Sequence, residues 1–309
     1  MTVDAVLLIA FGGPTKPDEI RPFLQNVARG RRIPPERLEE VAHHYGQMPG
    51  GCSPLNDLTF MQARALQAML AGVNLKLPVF VGMRNWKPYL HETLGTMAER
   101  GIKSALGIIL SALRTEASWE RYMNDVAEAR ARTPGAPAVV FAPPFFDHPL
   151  FVEAVADRAR AALARVPPSD REATPLVFTA HSVPTAMADG SPYVADLGAA
   201  SAAVAKRLNH GPWRLAYQSR SGSPRDPWLE PDVNDVLKDL GSRGTRHIVI
   251  VPIGFVCDHV EVLYDLDVEA AATARAAGLT LHRATAVNDH PRFIAVLADL
   301  VQHQLDASR

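Results

Sequence analysis

The stretch Leu176-Val177-Phe178-Thr179-Ala180-His181-Ser182-Val183-Pro184 decides the fold: five apolar or small residues, then a histidine, then a turn closed by proline. A short apolar run without polar alternation is expected of a strand covered on both faces. Similar runs lie at Ala5–Ala10, Pro78–Gly82, Leu106–Ser111, Ala138–Ala142, Leu215–Gln218, His247–Ile253 and Leu279–Ala284. Helical patterns fall between them, as at Phe60–Leu70, Tyr89–Arg100, Trp119–Arg132 and Pro149–Arg165. Strand–helix alternation of this kind builds parallel sheets of the doubly wound type.

Working outward, the chain contains two copies of one unit. Ala10-Phe11-Gly12-Gly13-Pro14 aligns with Ala180-His181-Ser182-Val183-Pro184, each directly after a strand. Arg100-Gly101 matches Arg243-Gly244, and Asp147-His148-Pro149 matches Asp289-His290-Pro291. The first match is offset by more residues than the other two, so a duplication with an insertion in the first half accounts for all three. The expected architecture is α/β: two similar doubly wound lobes, each a four-stranded parallel sheet flanked by helices, with the active-site cleft between them. The lobes span 1–143, with an inserted lip at 27–51, and 144–284; a C-terminal helix at 285–309 packs back on the first lobe. Ligands of such folds sit beyond the carboxyl ends of the strands. Within the lip, Glu36–Tyr45 is compatible with a helix, His43 and His44 are expected to be exposed, and Arg29, Arg31 and Arg32 can meet carboxylates bidentately.

Composition excludes several classes. The 309 residues are 47% hydrophobic and 21% charged with a net charge of -1, so no overall field favours nucleic acid. No apolar run reaches the ~20 residues of a membrane helix. Cys52 and Cys257 are the only cysteines, too few for a disulfide framework or a four-thiolate cluster, and a reducing cytoplasm is expected. There is no phosphate-binding Gly-x-x-x-x-Gly-Lys loop, no dinucleotide fingerprint at Phe11–Pro14 and no Gly-x-Ser-x-Gly elbow, so a nucleotide-binding protein or an acyl transferase is disfavoured.

Two positions carry chemistry. His181 ends a strand, and its counterpart in the first half is Phe11, so the repeat does not need histidine for packing. After the strand His247–Ile253, Glu261, Asp265 and Glu269 recur every fourth residue, which sets them on one stripe of a helix with about 6 Å of rise between neighbours. Carboxylates in a row suit a hard divalent cation, and a carboxylate with an imidazole suits iron. His259 projects to another side and is read as structural. His148 and His290, in matching turns, are read as a duplicated structural feature.

These residues resemble the ferrochelatase family from about residue 5 to residue 301. The resemblance is carried by Thr179–Pro184, by the run Val251–Asp267, and by Gln218-Ser219, Pro227-Trp228-Leu229, Gly50–Pro54 and Gly82-Met83-Arg84. It implies insertion of ferrous iron into a porphyrin in haem biosynthesis, a lyase activity, with iron as substrate, no tightly bound cofactor and no iron–sulfur cluster. It implies that His181 and Glu261 face each other across the porphyrin centre. Asp265 and Glu269 would continue a metal path on a helix with a π-type turn, and Trp228, Arg84 and Ser53 would line the macrocycle pocket. Thr15, Tyr264 and Arg31 are further candidate substrate contacts. Two departures stand out: family members acting on coproporphyrin carry a tyrosine where this chain has Thr15, and a histidine where it has Leu113.

Insertion needs a base for two pyrrole protons and a wall that bends the ring. Neutral His181 is expected to accept protons, Glu261 to have a raised pKa through partial burial, and Trp228 and Phe255 to hold the ring. Protoporphyrin IX and coproporphyrin III both remain open as substrate. The expected partners are porphyrin and iron only, with no nucleic acid, no integral membrane segment and a monomeric state. The alternatives are a haem-binding or haem-delivery protein without turnover, and a chelatase loading cobalt or nickel.

Overall fold

The computed structural model describes residues 3–30, 34–221 and 226–308, apart from the side chain of Pro49. It contains eight strands: β1 (Ala5–Ala10), β2 (Val79–Met83), β3 (Ser104–Ile109), β4 (Ala138–Phe141), β5 (Leu176–His181), β6 (Trp213–Gln218), β7 (His247–Val251) and β8 (Thr280–Arg283). Every expected strand is present; β1 keeps its expected bounds and others shift at their ends. β7 stops before Pro252, which has no N–H to donate to a ladder. β3 begins two residues early because the Asp4 carboxylate accepts the backbone N–H groups of Lys103 and Ser104 at 3.0 Å each.

The strands form two four-stranded sheets, ordered β2-β1-β3-β4 and β6-β5-β7-β8, with all pairings parallel. The second order is the first with each strand replaced by its repeat partner, so the duplication read from sequence is realised in topology. The chain divides into two compact units, 1–110 with 117–144 and 293–309, and 111–116 with 145–292.

In the first unit, Leu7, Ile9, Ala105 and Ile109 on the central strands meet Leu94, Met97, Trp119 and Val126 from the helices Leu90–Glu99 and Arg121–Ala131 and the π turn between Glu116 and Glu120. In the second, Val177, Ile248 and Ile250 meet Val236, Leu237 and Leu240 of the helix Val233–Ser242, together with Val262, Leu266 and Ala270. Burial of each large apolar side chain stabilises by roughly 1.5–3 kcal/mol. The last group sits on the element carrying the carboxylate row, so that row is anchored by its apolar neighbours.

The helix expected over Phe60–Leu70 begins earlier, at Leu55, where the Ser53 hydroxyl accepts the Leu55 N–H at 3.3 Å. In the inserted stretch, Pro35–Gly46 is helical with Tyr45 buried; His43 is exposed, whereas His44 is half-buried rather than exposed. Arg31 and Arg32 lie outside the described residues. Among those described, no helix is long and apolar enough to cross a membrane.

Candidate active site

His181 is the last residue of β5, paired in register with Gln218 at the end of β6. Its Nδ1 faces the carbonyl oxygen of Ser182 in a very short contact. A carbonyl only accepts, so Nδ1 carries the hydrogen, and the lone pair of a neutral ring resides on Nε2. Nε2 lies 3.4 Å from Oε1 of Glu261. The backbone around His181 is held by the Tyr193 hydroxyl, which donates to the His181 carbonyl at 2.9 Å from the helix Tyr193–Leu208.

Glu261 sits in the first turn of the helix Val260–Tyr264, with the acidic residue at the positive end of the helix. His259 caps that helix: its Nδ1 accepts the Glu261 N–H at 3.2 Å. Burial pushes the His259 pKa down, with partial opposition from Glu261 and Asp258, which keeps the ring neutral as a cap requires. His148 and His290 likewise cap the helices Pro149–Leu163 and Pro291–Asp306, where their Nδ1 atoms accept the N–H groups of Leu150 and Arg292 at 3.2 Å each. The structural reading of all three histidines holds.

The helix bulges into a π turn at Asp265–Ala270 before resuming at Ala271–Ala276. Such bulges occur often at functional sites. The bulge re-phases the four-residue stripe read from sequence: Asp265 is half-buried while Glu269 is exposed. Ser219, whose φ of 62° lies in the left-handed region, donates its hydroxyl to Asp265. Gln218 donates to the backbone carbonyl of Glu261. The end of β6 thus supports both carboxylate positions, a role that Gln218-Ser219 did not reveal from sequence.

The electrostatics of the pair reverse what the sequence suggested. Burial alone would lower the His181 pKa, but the Glu261 carboxylate against Nε2 overrides it and raises it to about 9. Burial alone would raise Glu261, but the His181 charge and hydrogen bond hold it down at about 2. The resting pair is therefore imidazolium and carboxylate, not a neutral histidine beside a glutamate of raised pKa. Asp265 takes the opposite course: burial first, then repulsion from Glu261 and Glu269, raise it to about 7 against the Ser219 hydrogen bond. The second expectation overturned is geometric. Carbon atoms in contact are about 3.5–4.0 Å apart, so a flat ring between two groups needs roughly 7 Å. At 3.4 Å, His181 and Glu261 touch each other and do not face one another across a macrocycle. Among the described residues, no group of three or more His, Cys, Asp and Glu is arranged to hold a metal ion.

Trp228 is joined to the loop after His181 by a bridge to Pro184, by the Leu229 N–H donating to the Val183 carbonyl at 3.0 Å, and by the Ser182 hydroxyl donating to the Leu229 carbonyl at 2.9 Å. Tyr264 is buried at the end of the Glu261 helix. In the first unit, Ser53 is buried; its N–H donates to the Pro14 carbonyl at 3.2 Å. Arg84 is ion-paired with Asp125 and lies over the Tyr122 ring at 4.8 Å. Thr15 is exposed and gives its N–H and hydroxyl to Glu19, each at 2.9 Å; Trp86 Nε1 donates to the same oxygen at 2.9 Å. These three border a cavity of about 430 Å³ with Asn56, Phe60 and Lys87. Leu113 is buried.

Known proteins agree with this architecture. The signature described as Ferrochelatase matches residues 3–305. The chain is 43% identical over 309 residues to the coproporphyrin III ferrochelatase of Mycolicibacterium smegmatis, covering 99% of this chain and 91% of that protein. It is 46% identical over 305 residues to that of Mycobacterium avium, covering 97% and 88%. Among solved structures, SirB from Bacillus subtilis with Fe3+ superposes with a TM-score of 0.59 at 12% identity, over 99% of this chain and 97% of the other. The sirohydrochlorin chelatase SirB from the subspecies spizizenii, in complex with cobalt, gives 0.56 at 12% identity, over 99% and 96%. At such identity these two speak for the fold alone. With a pair of repeated parallel sheets, a histidine–glutamate contact at the strand ends and a signature spanning nearly its whole length, the chain belongs to the ferrochelatase family.

Proposed function

We propose that this chain inserts ferrous iron into coproporphyrin III, with His181 as the proton acceptor and Glu261, Asp265 and Glu269 guiding the metal. Iron insertion into a porphyrin in haem biosynthesis is the activity of its family. The choice of coproporphyrin III is supported by the relatives that carry that name at 43–46% identity over nearly the full chain.

The observation that carries the residue assignment is the 3.4 Å contact between His181 Nε2 and Glu261 Oε1. Insertion must strip two protons from pyrrole nitrogens, which are weak acids, so a base is required close to the ring. An imidazolium is not a base, and the resting pair stores its proton. A divalent cation arriving at Glu261 and Asp265 replaces the imidazolium as partner of the carboxylates and repels its charge. His181 then releases the Nε2 proton to solvent water, and the Ser182 carbonyl keeps Nδ1 as the donor, so the exposed lone pair is on Nε2. Asp265, with a pKa of about 7, is partly protonated near neutrality and gives up that proton under the same influence. Arrival of the metal thereby creates the base that deprotonates the porphyrin. Once the metal has left Glu261 for the ring, the freed carboxylate relays the second proton to solvent water.

Trp228, fixed to the loop after His181, serves as the ring wall on this unit, with Phe255 and Tyr264 near the Glu261 helix. Thr15 contacts substrate at the mouth of its cavity. Ser53 and Arg84 are already engaged by protein partners, so their contribution is to shape the first unit's surface rather than to offer a free charge. We assign no resident cofactor: two cysteines fall short of the four thiolates of an iron–sulfur cluster, and burial pushes the Cys257 thiol up to about 12. Free thiols fit a reducing cytoplasm, and the working state assigned is a monomer.

The test is the initial rate of iron insertion by His181→Ala and Glu261→Gln proteins, with coproporphyrin III and protoporphyrin IX offered separately. A positioned base contributes about 10²–10⁴-fold, and losses of that size are expected in both variants. Wild-type rates in both would refute the assignment, and a preference of the wild type for protoporphyrin IX would refute the substrate.

A further inference from the structure

Arg283, on β8, lies outside every part of the machinery described so far, yet its guanidinium binds the segment bearing the carboxylates at two points, one ahead of Glu261 and one between Asp265 and Glu269. Nε and one terminal nitrogen donate bidentately to Asp267, at 2.5 and 2.8 Å, inside the π turn. The other terminal nitrogen donates to Asp258 at 2.8 Å, just ahead of the Glu261 helix. Asp258 is itself fixed. Its carboxylate accepts the Ala286 N–H at 3.2 Å and the Asn288 side-chain amide at 2.8 Å, while its own N–H donates to Asn288 at 2.8 Å. The Arg283 and Asp258 side chains are only 12% and 11% exposed, so that end of the bridge is desolvated, while Asp267 at the other end is 39% exposed.

We propose that Arg283 is a positioning residue that sets the spacing of Glu261, Asp265 and Glu269 by bridging Asp258 to Asp267. A π turn is rare and sits at functional sites because the surrounding structure holds it there. Asp258 lies three residues before Glu261 and Asp267 lies between Asp265 and Glu269, so one planar fork encloses the first two carboxylates and ends two residues short of the third. Arginine is suited to this because its five donors are fixed in one plane; lysine supplies a point charge without the fork. The inference rests on the carboxylate row guiding the metal, as proposed above.

The experiment is steady-state insertion with iron and porphyrin varied independently in Arg283→Lys, Asp267→Asn and the double variant, beside Asp265→Asn as reference. A displacement of about 1 Å in a reacting site can lower rates by 10²-fold. The expected result is a rise of about tenfold or more in KM for iron in both single variants, with KM for porphyrin unchanged and the double variant no worse than Arg283→Lys. Asp267 is the exposed end of the bridge, so Asp267→Asn folds and carries the test if Arg283→Lys does not. The inference is overturned if KM for iron is unchanged while only thermal stability falls, or if the two single effects add in the double variant. Should Asp265→Asn itself leave KM for iron unchanged, the carboxylate-row reading fails instead, and the two failures are told apart.

Discussion

Replacing Gly254 with alanine tests how closely the two halves of the site are packed. Gly254 lies between β7 and the Glu261 helix, and its N–H donates to the Thr179 carbonyl at 3.0 Å, one residue before Ala180 and two before His181. A Cβ there would stand 2.5 Å from the Ala180 Cβ and 2.7 Å from the Ala180 Cα. Ordinary carbon contacts are about 3.5–4.0 Å, so the two segments must part by roughly 1 Å, and the obstacle is backbone that cannot rotate away. The His181–Glu261 contact, 3.4 Å in the wild type, would open past the 4 Å at which an ion pair is counted. Overpacking of this size costs about 1–3 kcal/mol, and a 1 Å misplacement at a reacting site about 10²-fold in rate. The expected Gly254→Ala protein is folded, less stable to guanidinium by that amount, about a hundredfold slower in iron insertion, and has a His181 that titrates closer to an ordinary histidine by NMR. Gly198→Ala, within the helix Tyr193–Leu208 and with nothing near its added Cβ, is the control. It should gain roughly 0.5–1 kcal/mol and keep its rate. A Gly254→Ala enzyme with wild-type rate and stability would show that the approach is not as tight as described.

The His181 pKa is raised, so its contribution to stability is complete below about 6.5 and lost as pH climbs through about 9; that of Glu261 is lowered, so its contribution is complete above about 4.5 and lost as pH falls through about 2. Unfolding measured against pH should therefore show the largest deficit of Glu261→Gln near pH 5–6 and a closing gap above pH 9; a gap that widens with rising pH would contradict the ion pair. Asp265 has a folded pKa raised from 3.8 to about 7, so its carboxylate opposes folding as pH rises across that interval. Asp265→Asn should accordingly melt higher than wild type at pH 8, by about 1–3 kcal/mol after allowance for partial exposure, match it near pH 4, and insert iron poorly. Arg84→Met leaves Asp125 half-buried and unpaired and should lose about 3 kcal/mol, with much of that restored in Arg84→Met/Asp125→Leu; equal stability of the two proteins would argue that the ion pair does not matter.

The eight strands were legible because strands buried on both faces must be written as short apolar runs, and the duplication because the turns after β1 and β5 and the Asp-His-Pro turns kept their wording. His181 and Glu261 were legible as a strand end and the head of an acidic row. Their protonation was not, since it depends on a 3.4 Å contact between residues eighty positions apart, and such proximity leaves no trace in spacing. The π turn also has no compositional mark in Asp265–Ala270, so the stripe drawn with α-helical spacing put Glu269 in line with Asp265 although one is exposed and the other half-buried. Tyr193 and Arg283 were passed over for the same reason: each acts on the site from an element that comes near only on folding. Arg84 and Ser53 looked like open pocket residues because a sequence does not show that Asp125 and the loop at Pro14 already hold them.

The three histidine caps have a consequence for a protein whose cargo is a transition-metal ion. Imidazole is the side chain best able to intercept such an ion, and the chain has eleven histidines. A neutral ring owns one lone pair; in His148, His259 and His290 a backbone N–H already occupies it at Nδ1, so the outer edge of each ring shows a hydrogen. For His290 that hydrogen points at Asp157, 3.4 Å away. A passing cation meets a closed door at these rings unless it first unwinds the start of a helix. Folding thus removes three competing ligands from circulation and leaves the ion freer to reach the carboxylates.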